Sequence, residues 1–164
     1  MSHAVYSLHT PQVYRRGFTL VELMITIAIL AITVSLASPA VNDLLVGQRI
    51  RSVAYDMTSS LVMARSEAVK RGQNVNIEPD ASGWQAGWTV RVPSTADVVS
   101  SRNTAGNGVL FTTSPGTITF DLNGRLSSSS TVVRFQISDG ASRNRCISLD
   151  PSGRPKTVVA ACPS

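Results

Sequence analysis

The sequence predicts an α+β protein in which a long N-terminal helix is packed on an antiparallel β-rich head with one C-terminal disulfide. The apolar run at residues 18–41 contains a single charge, and apolar residues then continue at helical spacing to about residue 71. Beyond Gly72, short β-prone runs alternate with Gly, Pro, Asn, Asp and Ser, which is typical of a sheet with tight turns. We therefore divide the chain into a leader (1–17), an apolar helix (18–41), its amphipathic continuation (42–72) and a globular head (73–164).

Glu22 is the only charge in the apolar run from Phe18 to Val41, which is long enough to span a bilayer. Placing Asp at the centre of a membrane helix costs about 2.5 to 3.5 kcal/mol on insertion scales, so a carboxylate there needs a partner. A cut after Gly17 would give Phe18 a free cationic amine, which a neighbouring subunit could present to Glu22. Gly17 and Phe18 are therefore candidate processing residues, and Glu22 is a candidate assembly residue.

Three simpler interpretations of the same segment are open. An ordinary secretory signal would be cut at Ser35-Leu36-Ala37, Arg15-Arg16 suggests a twin-arginine signal, and the run could be an uncleaved anchor. None of the three needs an acid within the apolar run, so Glu22 favours processing at Gly17.

Apolar side chains recur every three or four residues after this run, which predicts that the helix continues to about Arg71 with one face on the head. Pro39 lies within it and predicts a kink or a locally melted stretch. Gly72 is expected to end the helix, with Lys70 and Arg71 favourably placed at its negative end. The charged face either keeps the helix solvated or packs against another subunit. The predicted buried stripe is Val46, Ile50, Val53, Met57, Leu61, Ala64 and Ala68.

Short β-prone runs predict the strands of the head, in one antiparallel sheet or two small ones. Two connections are typical of hairpins, Glu78 to Gly87 and the Asn-Gly turn at Asp121 to Gly124. We expect Ser94 to Gly108 to be a mobile surface loop and Ser127 to Ser130 to be a flexible link. The predicted strands are Val75–Ile77, Trp88–Val92, Ile118–Phe120, Val132–Ile137, Cys146–Leu149 and Thr157–Val159.

Cysteine and histidine usage bounds the chemistry of the chain. Cys146 and Cys162 predict one disulfide in an exported domain, worth about 3 kcal/mol in the chain-entropy model. A zinc site is less favoured, because two thiolates lack the companion ligands that zinc requires. His3 and His9 both lie in the leader, so the processed chain would have no histidine for catalytic triads, zinc proteases or general-base catalysis. We expect neither an enzyme nor a cofactor.

The heptapeptide Gly17-Phe18-Thr19-Leu20-Val21-Glu22-Leu23 resembles the processing and assembly signature of type IV pilins and type II secretion pseudopilins. The resemblance implies that a prepilin peptidase cuts after Gly17 and methylates Phe18. It implies that Glu22 acts in assembly with other major and minor pilins. It also implies a single-pass inner-membrane protein with a periplasmic head, which later joins a cell-surface pilus.

Two further motifs, Gly83-Trp84-Gln85-Ala86-Gly87-Trp88 and Ala64-Arg65-Ser66-Glu67-Ala68, resemble the minor pilin and pseudopilin group that contains GspH, FimU and FimT. The resemblance implies a minor subunit that initiates or caps a type IV pilus. The alternatives are a GspH-like pseudopilin of type II secretion and a FimT-like pilin for DNA uptake in natural transformation. By themselves, Trp84 and Trp88 favour a structural role, covering the sheet or the helix, over ligand stacking.

Four cations that lie on either side of one short predicted strand, close to the cysteines, are candidate DNA-binding residues: Arg143, Arg145, Arg154 and Lys156. The formal charge of +5 includes two leader arginines, so an acidic partner must be argued from local clustering. Gly153-Arg154-Pro155-Lys156 resembles the Gly-Arg-x-Arg tail associated with DNA binding in FimT-like pilins, but Lys156 lacks the bidentate geometry of arginine. A cationic rim could neutralise phosphates without reading bases. Alternatively, these charges solvate strand edges.

Overall fold

A computed structural model describes residues 17–127 and 131–163, and within the helix it leaves out the side chains of residues 36–40. The predictions for the leader, which concern His3, His9, Arg15 and Arg16, lie outside the described residues, as do positions 128–130 of the predicted serine link. The chain forms two compact units, residues 1–39 and 40–164. The elements are α1 (Leu20–Arg71), β1 (Val75–Asp80), β2 (Gly83–Val92), β3 (Asp97–Asn103), β4 (Leu110–Thr113), β5 (Ile118–Phe120), β6 (Val133–Ser138), β7 (Asn144–Leu149) and β8 (Pro155–Val158).

Helix α1 runs without interruption from Leu20 to Arg71, as the helical spacing predicts. The alternative of a locally melted stretch at Pro39 is therefore wrong, because a proline removes only one backbone donor and the bonds on either side maintain the helix. Gly72, with φ of 62°, ends the helix, and the Gln73 N–H donates to the Ala68 carbonyl at 3.3 Å. This is the Schellman arrangement that glycine permits. No helix among the described residues combines the length and the apolar character of a membrane span.

The eight strands form two antiparallel four-stranded sheets, so the prediction of two small sheets is the correct alternative. The first has the order β3-β2-β1-β5 and the second β4-β6-β7-β8. The predicted β1–β2 hairpin is confirmed, and its loop is shorter than expected, since Asp80 already pairs with Gly83. The Asn-Gly turn is also present, but it closes onto a single bridge between Phe120 and Leu126 rather than joining two long strands.

The core lies between the second half of α1 and the inner faces of both sheets. Six of the seven predicted stripe residues are buried, from Ile50 to Ala68, and Val46 packs against them. Trp84 and Trp88 belong to the same core. The Trp88 indole N–H donates to Ser60 Oγ of α1 at 2.9 Å, whereas the Trp84 ring packs edge-on to Phe135 of the second sheet. The structural interpretation of both tryptophans is therefore correct, and burial leaves their faces closed to ligand stacking.

The predicted mobile loop from Ser94 to Gly108 is wrong. Residues 97–103 form β3, which pairs with β2 along its length, and the Ala105 N–H donates to the Gln85 carbonyl at 2.9 Å. Gly87 permits this pairing, because a Cβ there would lie 2.2 Å from the Arg102 carbonyl oxygen. An edge strand can be rich in Ser and Asn, since one side of it faces solvent.

Replacing Leu61 with Ala should destabilise the chain by about 2 to 5 kcal/mol, because it leaves a cavity where α1 meets the sheets. Val62→Ala is the matched control, since Val62 is 51% exposed and is not among the residues packed against the core. Urea unfolding of the full chain in detergent, followed by the fluorescence of the two buried tryptophans, measures the difference. Equal midpoints for the two variants would contradict the assigned helix face.

Candidate functional site

The start of α1 holds the predicted processing and assembly residues in one short segment. Residues 17–19 are not helical, and Phe18 is 76% exposed. The helix begins at Leu20, and the Glu22 N–H donates to Thr19 Oγ1 at 3.2 Å. Thr19 therefore acts as the N-cap, and Thr-x-x-Glu is the sequence pattern of a capping box. The sequence prediction missed Thr19, although this spacing could have identified it.

The described hydroxyl groups of the apolar half of α1, those of Thr26, Thr33 and Ser35, are hydrogen-bonded within their own helix. Thr26 donates to the Leu23 carbonyl at 2.8 Å, and Ser35 donates to the Ala31 carbonyl at 2.8 Å. Thr33 likewise donates to the carbonyls of the preceding turn. Such bonds hide polar groups from an apolar environment. The surface that this segment presents is accordingly made of exposed Leu, Ile, Val and Met side chains.

Glu22 is the exception in this surface. It lies in the first helical turn, where the positive end of the helix dipole favours a carboxylate. Across residues 17–127 and 131–163, no cation lies within ion-pair distance of its carboxylate. The Glu22 carboxylate therefore has the favourable field of the helix N-terminus, and it has no counter-ion from the described part of its own chain.

The predicted cations of the head are carried by tight turns of one repeated design. Three turns of the described head follow the pattern Asp-x-x-x-Arg: Asp121–Arg125, Asp139–Arg143 and Asp150–Arg154. In each, the Asp N–H donates to the Arg carbonyl, and the Asp carboxylate accepts from the Arg N–H, at 2.8, 3.1 and 3.0 Å respectively. In each turn these two bonds fix the backbone of the arginine, which is the last residue of the turn.

The structure places Arg143, Arg145, Arg154 and Lys156 as two pairs, one at each end of β7. Arg143 and Arg145 lie where β6 turns into β7, next to residues 43–51 of α1, which we call the basal end of the head. Arg154 and Lys156 lie where β7 turns into β8, which we call the distal end. The four cations therefore lie on either side of one short strand, as the sequence predicts, and their role in DNA binding stays a prediction.

Arg143 is occupied by two carboxylates at the basal end. Its guanidinium lies 3.4 Å from Asp43 of α1 and 3.1 Å from Asp139 of its own turn. The hydrogen bond to Asp43 is the main reason that the pKa of Arg143 is raised, and Asp139 adds to it. Arg143 therefore fastens the β6–β7 turn to α1 and has little free charge for an external phosphate.

Arg134 joins Lys156 in a row of outward side chains that the sequence prediction missed. In the second sheet, Arg134 lies opposite Ser148, and Ser148 lies opposite Lys156. Directly opposed residues in antiparallel strands share a face and lie about 4.5 to 5.5 Å apart. Arg154, which is exposed, follows the adjoining turn. This distal row of Arg134, Lys156 and Arg154 could be recognised only once the strand register was known.

Two of the Asp turns stack at the distal end. A Cβ on Gly153 would lie 2.3 Å from the Gly124 carbonyl oxygen, so the backbones touch. Arg65 of α1 donates to the same carbonyl at 3.0 Å. Ala64 and Ala68 on either side of it are buried and let the helix approach closely. The Ala-Arg-Ser-Glu-Ala motif thus holds the two turns against α1.

The predicted disulfide is confirmed between Cys146 of β7 and Cys162. The Cys162 N–H also donates to Gln136 Oε1 of β6 at 2.9 Å. The C-terminal segment is therefore fastened across two strands of the second sheet, between the basal and distal cations.

Comparisons with known proteins agree on the type of protein. A family model described as type II transport protein GspH matches residues 53–153, and one described as prokaryotic N-terminal methylation motif matches residues 13–38. Among solved structures, the fold is similar to the type IV minor pilin FimU of Pseudomonas aeruginosa in two crystal forms. One has a TM-score of 0.62 at 22% identity, covering 71% of this chain and 95% of that chain. The other has a TM-score of 0.57 at 24% identity, covering 70% and 98%. No curated protein matches the sequence significantly.

Acid should weaken the head through its Asp turns. The Ala141 N–H lowers the pKa of Asp139, and the Ser152 hydroxyl lowers the pKa of Asp150. Because the folded values lie below the ordinary value of about 3.9, this stabilisation is present above that pH and is lost as the pH falls through the folded values.

The double variant Asp139→Asn with Asp150→Asn should be less stable than the wild type at neutral pH and should lose less stability between pH 5 and pH 2. The amide oxygen can still accept a backbone hydrogen bond but carries no charge. Urea midpoints measured across this pH range give the comparison. If the urea midpoint of the double variant fell as steeply between pH 5 and pH 2 as that of the wild type, the role of these carboxylates would be contradicted.

Proposed function

We propose a role in filament assembly, since the chain belongs to the GspH family of type II transport proteins, whose model matches residues 53–153. The chain is of the type IV minor pilin or pseudopilin type. Its specific role, on this proposal, is that of a minor pilin that initiates or caps assembly of a type IV pilus. The observation that carries it is the exposed apolar half of α1, in which the hydroxyl groups of Thr26 and Ser35 are satisfied internally while Glu22 has no counter-ion among the described residues.

Processing comes first in this proposal. A prepilin peptidase cuts between Gly17 and Phe18, a non-helical stretch that precedes the Thr19 cap, and methylates Phe18. The match of residues 13–38 to the N-terminal methylation motif supports this step. The apolar half then holds the subunit in the inner membrane with its head in the periplasm. An oxidising compartment suits the Cys146–Cys162 disulfide.

Assembly then exchanges lipid for protein around α1. The Leu, Ile and Val side chains of residues 20–34 are exposed in the isolated chain and would pack against the corresponding helices of other pilins. Glu22 supplies the register, because the amine of Phe18 from a neighbouring subunit is the cation that can neutralise it in an apolar setting. The nearby Thr19 cap fixes the position of the first turn and therefore of the carboxylate.

A second candidate function is that of a minor pseudopilin in type II secretion. The description of the matching family favours it, whereas the likeness to FimU concerns the fold. Both functions use the same helix in the same way. They differ in whether the subunit serves a type IV pilus or a type II secretion system. A deletion strain of the native host, in which both surface pili and secreted proteins are measured, distinguishes the two.

Glu22→Ala should leave the chain in the membrane fraction but reduce its incorporation into filaments at least tenfold, because the register interaction is absent. Immunoblots of membranes and of sheared filaments from the same cells measure the two pools. Glu78→Ala is the control, since it removes a carboxylate from the head. Normal incorporation of the Glu22 variant would contradict the assembly role.

DNA contact is a third candidate function, and the distal row supports it. Arg134, Lys156 and Arg154 face outward without an ion-pair partner in the described residues, whereas Arg143 is held by two carboxylates. Such a row would bind phosphates without reading sequence, and binding would fall steeply with salt. A FimT-like role in DNA uptake would use this surface.

Gel-shift titrations of the full chain in detergent, at rising salt, test this function. Arg154→Ala with Lys156→Ala should reduce affinity for duplex DNA about tenfold at low salt and flatten the salt dependence. Arg143→Ala with Arg145→Ala is the matched control and should change it less. Equal losses in the two double variants, or no binding by the wild type, would exclude the distal row as a DNA site.

A further inference from the structure

A cleft of about 480 Å³ opens at the basal end of the head. One wall is the stretch of α1 from Asp43 to Arg51, and the others are the turn at Ser142 to Arg145 and the segment Val159 to Ala161. All of these residues belong to the compact unit that begins at Ala40. We call this space the basal cleft.

The basal cleft has an excess of positive charge. Three guanidinium groups line it, those of Arg51, Arg143 and Arg145, against the single carboxylate of Asp43. Asp43 is engaged by Arg143, which Asp139 also contacts. Arg51 and Arg145 have no carboxylate within ion-pair distance in the part of the chain that the structure describes. Two cations therefore face the cleft uncompensated.

Apolar side chains accompany these cations. Leu44 is 69% exposed and Val159 is 76% exposed, and both line the cleft. Along α1, Gly47 and Arg51 lie about 9 and 15 Å beyond Val41, at 1.5 Å per residue. Val41 ends the predicted apolar segment, so along the helix the cleft begins directly after that segment, at Asp43. Arginine beside exposed apolar side chains is typical of proteins that contact lipid headgroups.

We infer that the basal cleft binds the phosphate of an anionic phospholipid through Arg51 and Arg145 while Leu44 and Val159 contact its acyl region. The inference rests on the proposed function, because it requires a subunit held in the membrane before assembly. The exposed apolar side chains favour a lipid over an acidic protein segment, which would need only the charges. The lipid would hold the base of the head at the membrane surface, and entry into the filament would release it.

The test uses the full chain in lipid nanodiscs. Insertion into discs of phosphatidylcholine alone is scored first, as the check on membrane residence. Discs containing a minor fraction of phosphatidylglycerol are then used, and native mass spectrometry identifies the lipids that stay bound to the released chain. We expect phosphatidylglycerol to be enriched over its bulk fraction. Each cation removed from the cleft should reduce that enrichment about fivefold, the equivalent of ~1 kcal/mol.

Two double variants locate the effect. Arg51→Gln with Arg145→Gln should lose the enrichment, whereas Arg154→Gln with Lys156→Gln removes the same charge from the distal end and should keep it. Equal retention of both lipids by the wild type, or unchanged enrichment in the Arg51 and Arg145 variant, would overturn the inference and leave the proposed function standing. An unchanged variant is also the result expected if the cleft serves an acidic protein. Failure to enter either disc would overturn membrane residence and this inference with it.

Discussion

The carboxylate of Glu22 is the constraint on which the proposed function depends. It lies on a helix surface that is otherwise apolar, and the hydroxyls of Thr26, Thr33 and Ser35 are satisfied by their own helix. The dipole of the first turn favours the charge but does not neutralise it. A second molecule that brings a cation to this point relieves the cost, and a processed neighbour has such a cation at its new N-terminus. On the proposed function, the same surface contacts lipid before assembly and other helices in the filament core.

The second half of α1 connects this constraint to the head. Both small sheets pack on its buried stripe, and the buried residues of the helix and of the two sheets form a single core. Contacts at both ends of the stripe fix the turns of the second sheet: Arg143 reaches Asp43 at the basal end, and Arg65 reaches the Gly124 carbonyl at the distal end. The disulfide holds the C-terminal segment between them.

Sequence patterns were sufficient where a single period or a local chemical rule decides the structure. The stripe from Ile50 to Ala68, the end of α1 at Gly72 and the pairing of Cys146 with Cys162 follow from spacing, backbone freedom and oxidation chemistry. They were insufficient where long-range pairing decides. The sequence of β3 is typical of a loop because its solvent-facing positions are polar. Its strand structure depends on pairing with β2. The row of Arg134 and Lys156 depends on a strand register that no local pattern encodes.

The N-terminus of the protein purified from cell membranes tests the central claim most directly. Intact mass and N-terminal sequencing should give a chain that starts at Phe18 and carries one added methyl group on its amine, which places a cation four residues before Glu22 in every subunit. A chain that starts at Ser38, or that retains residues 1–17, would have no such amine to offer a neighbour and would contradict the account.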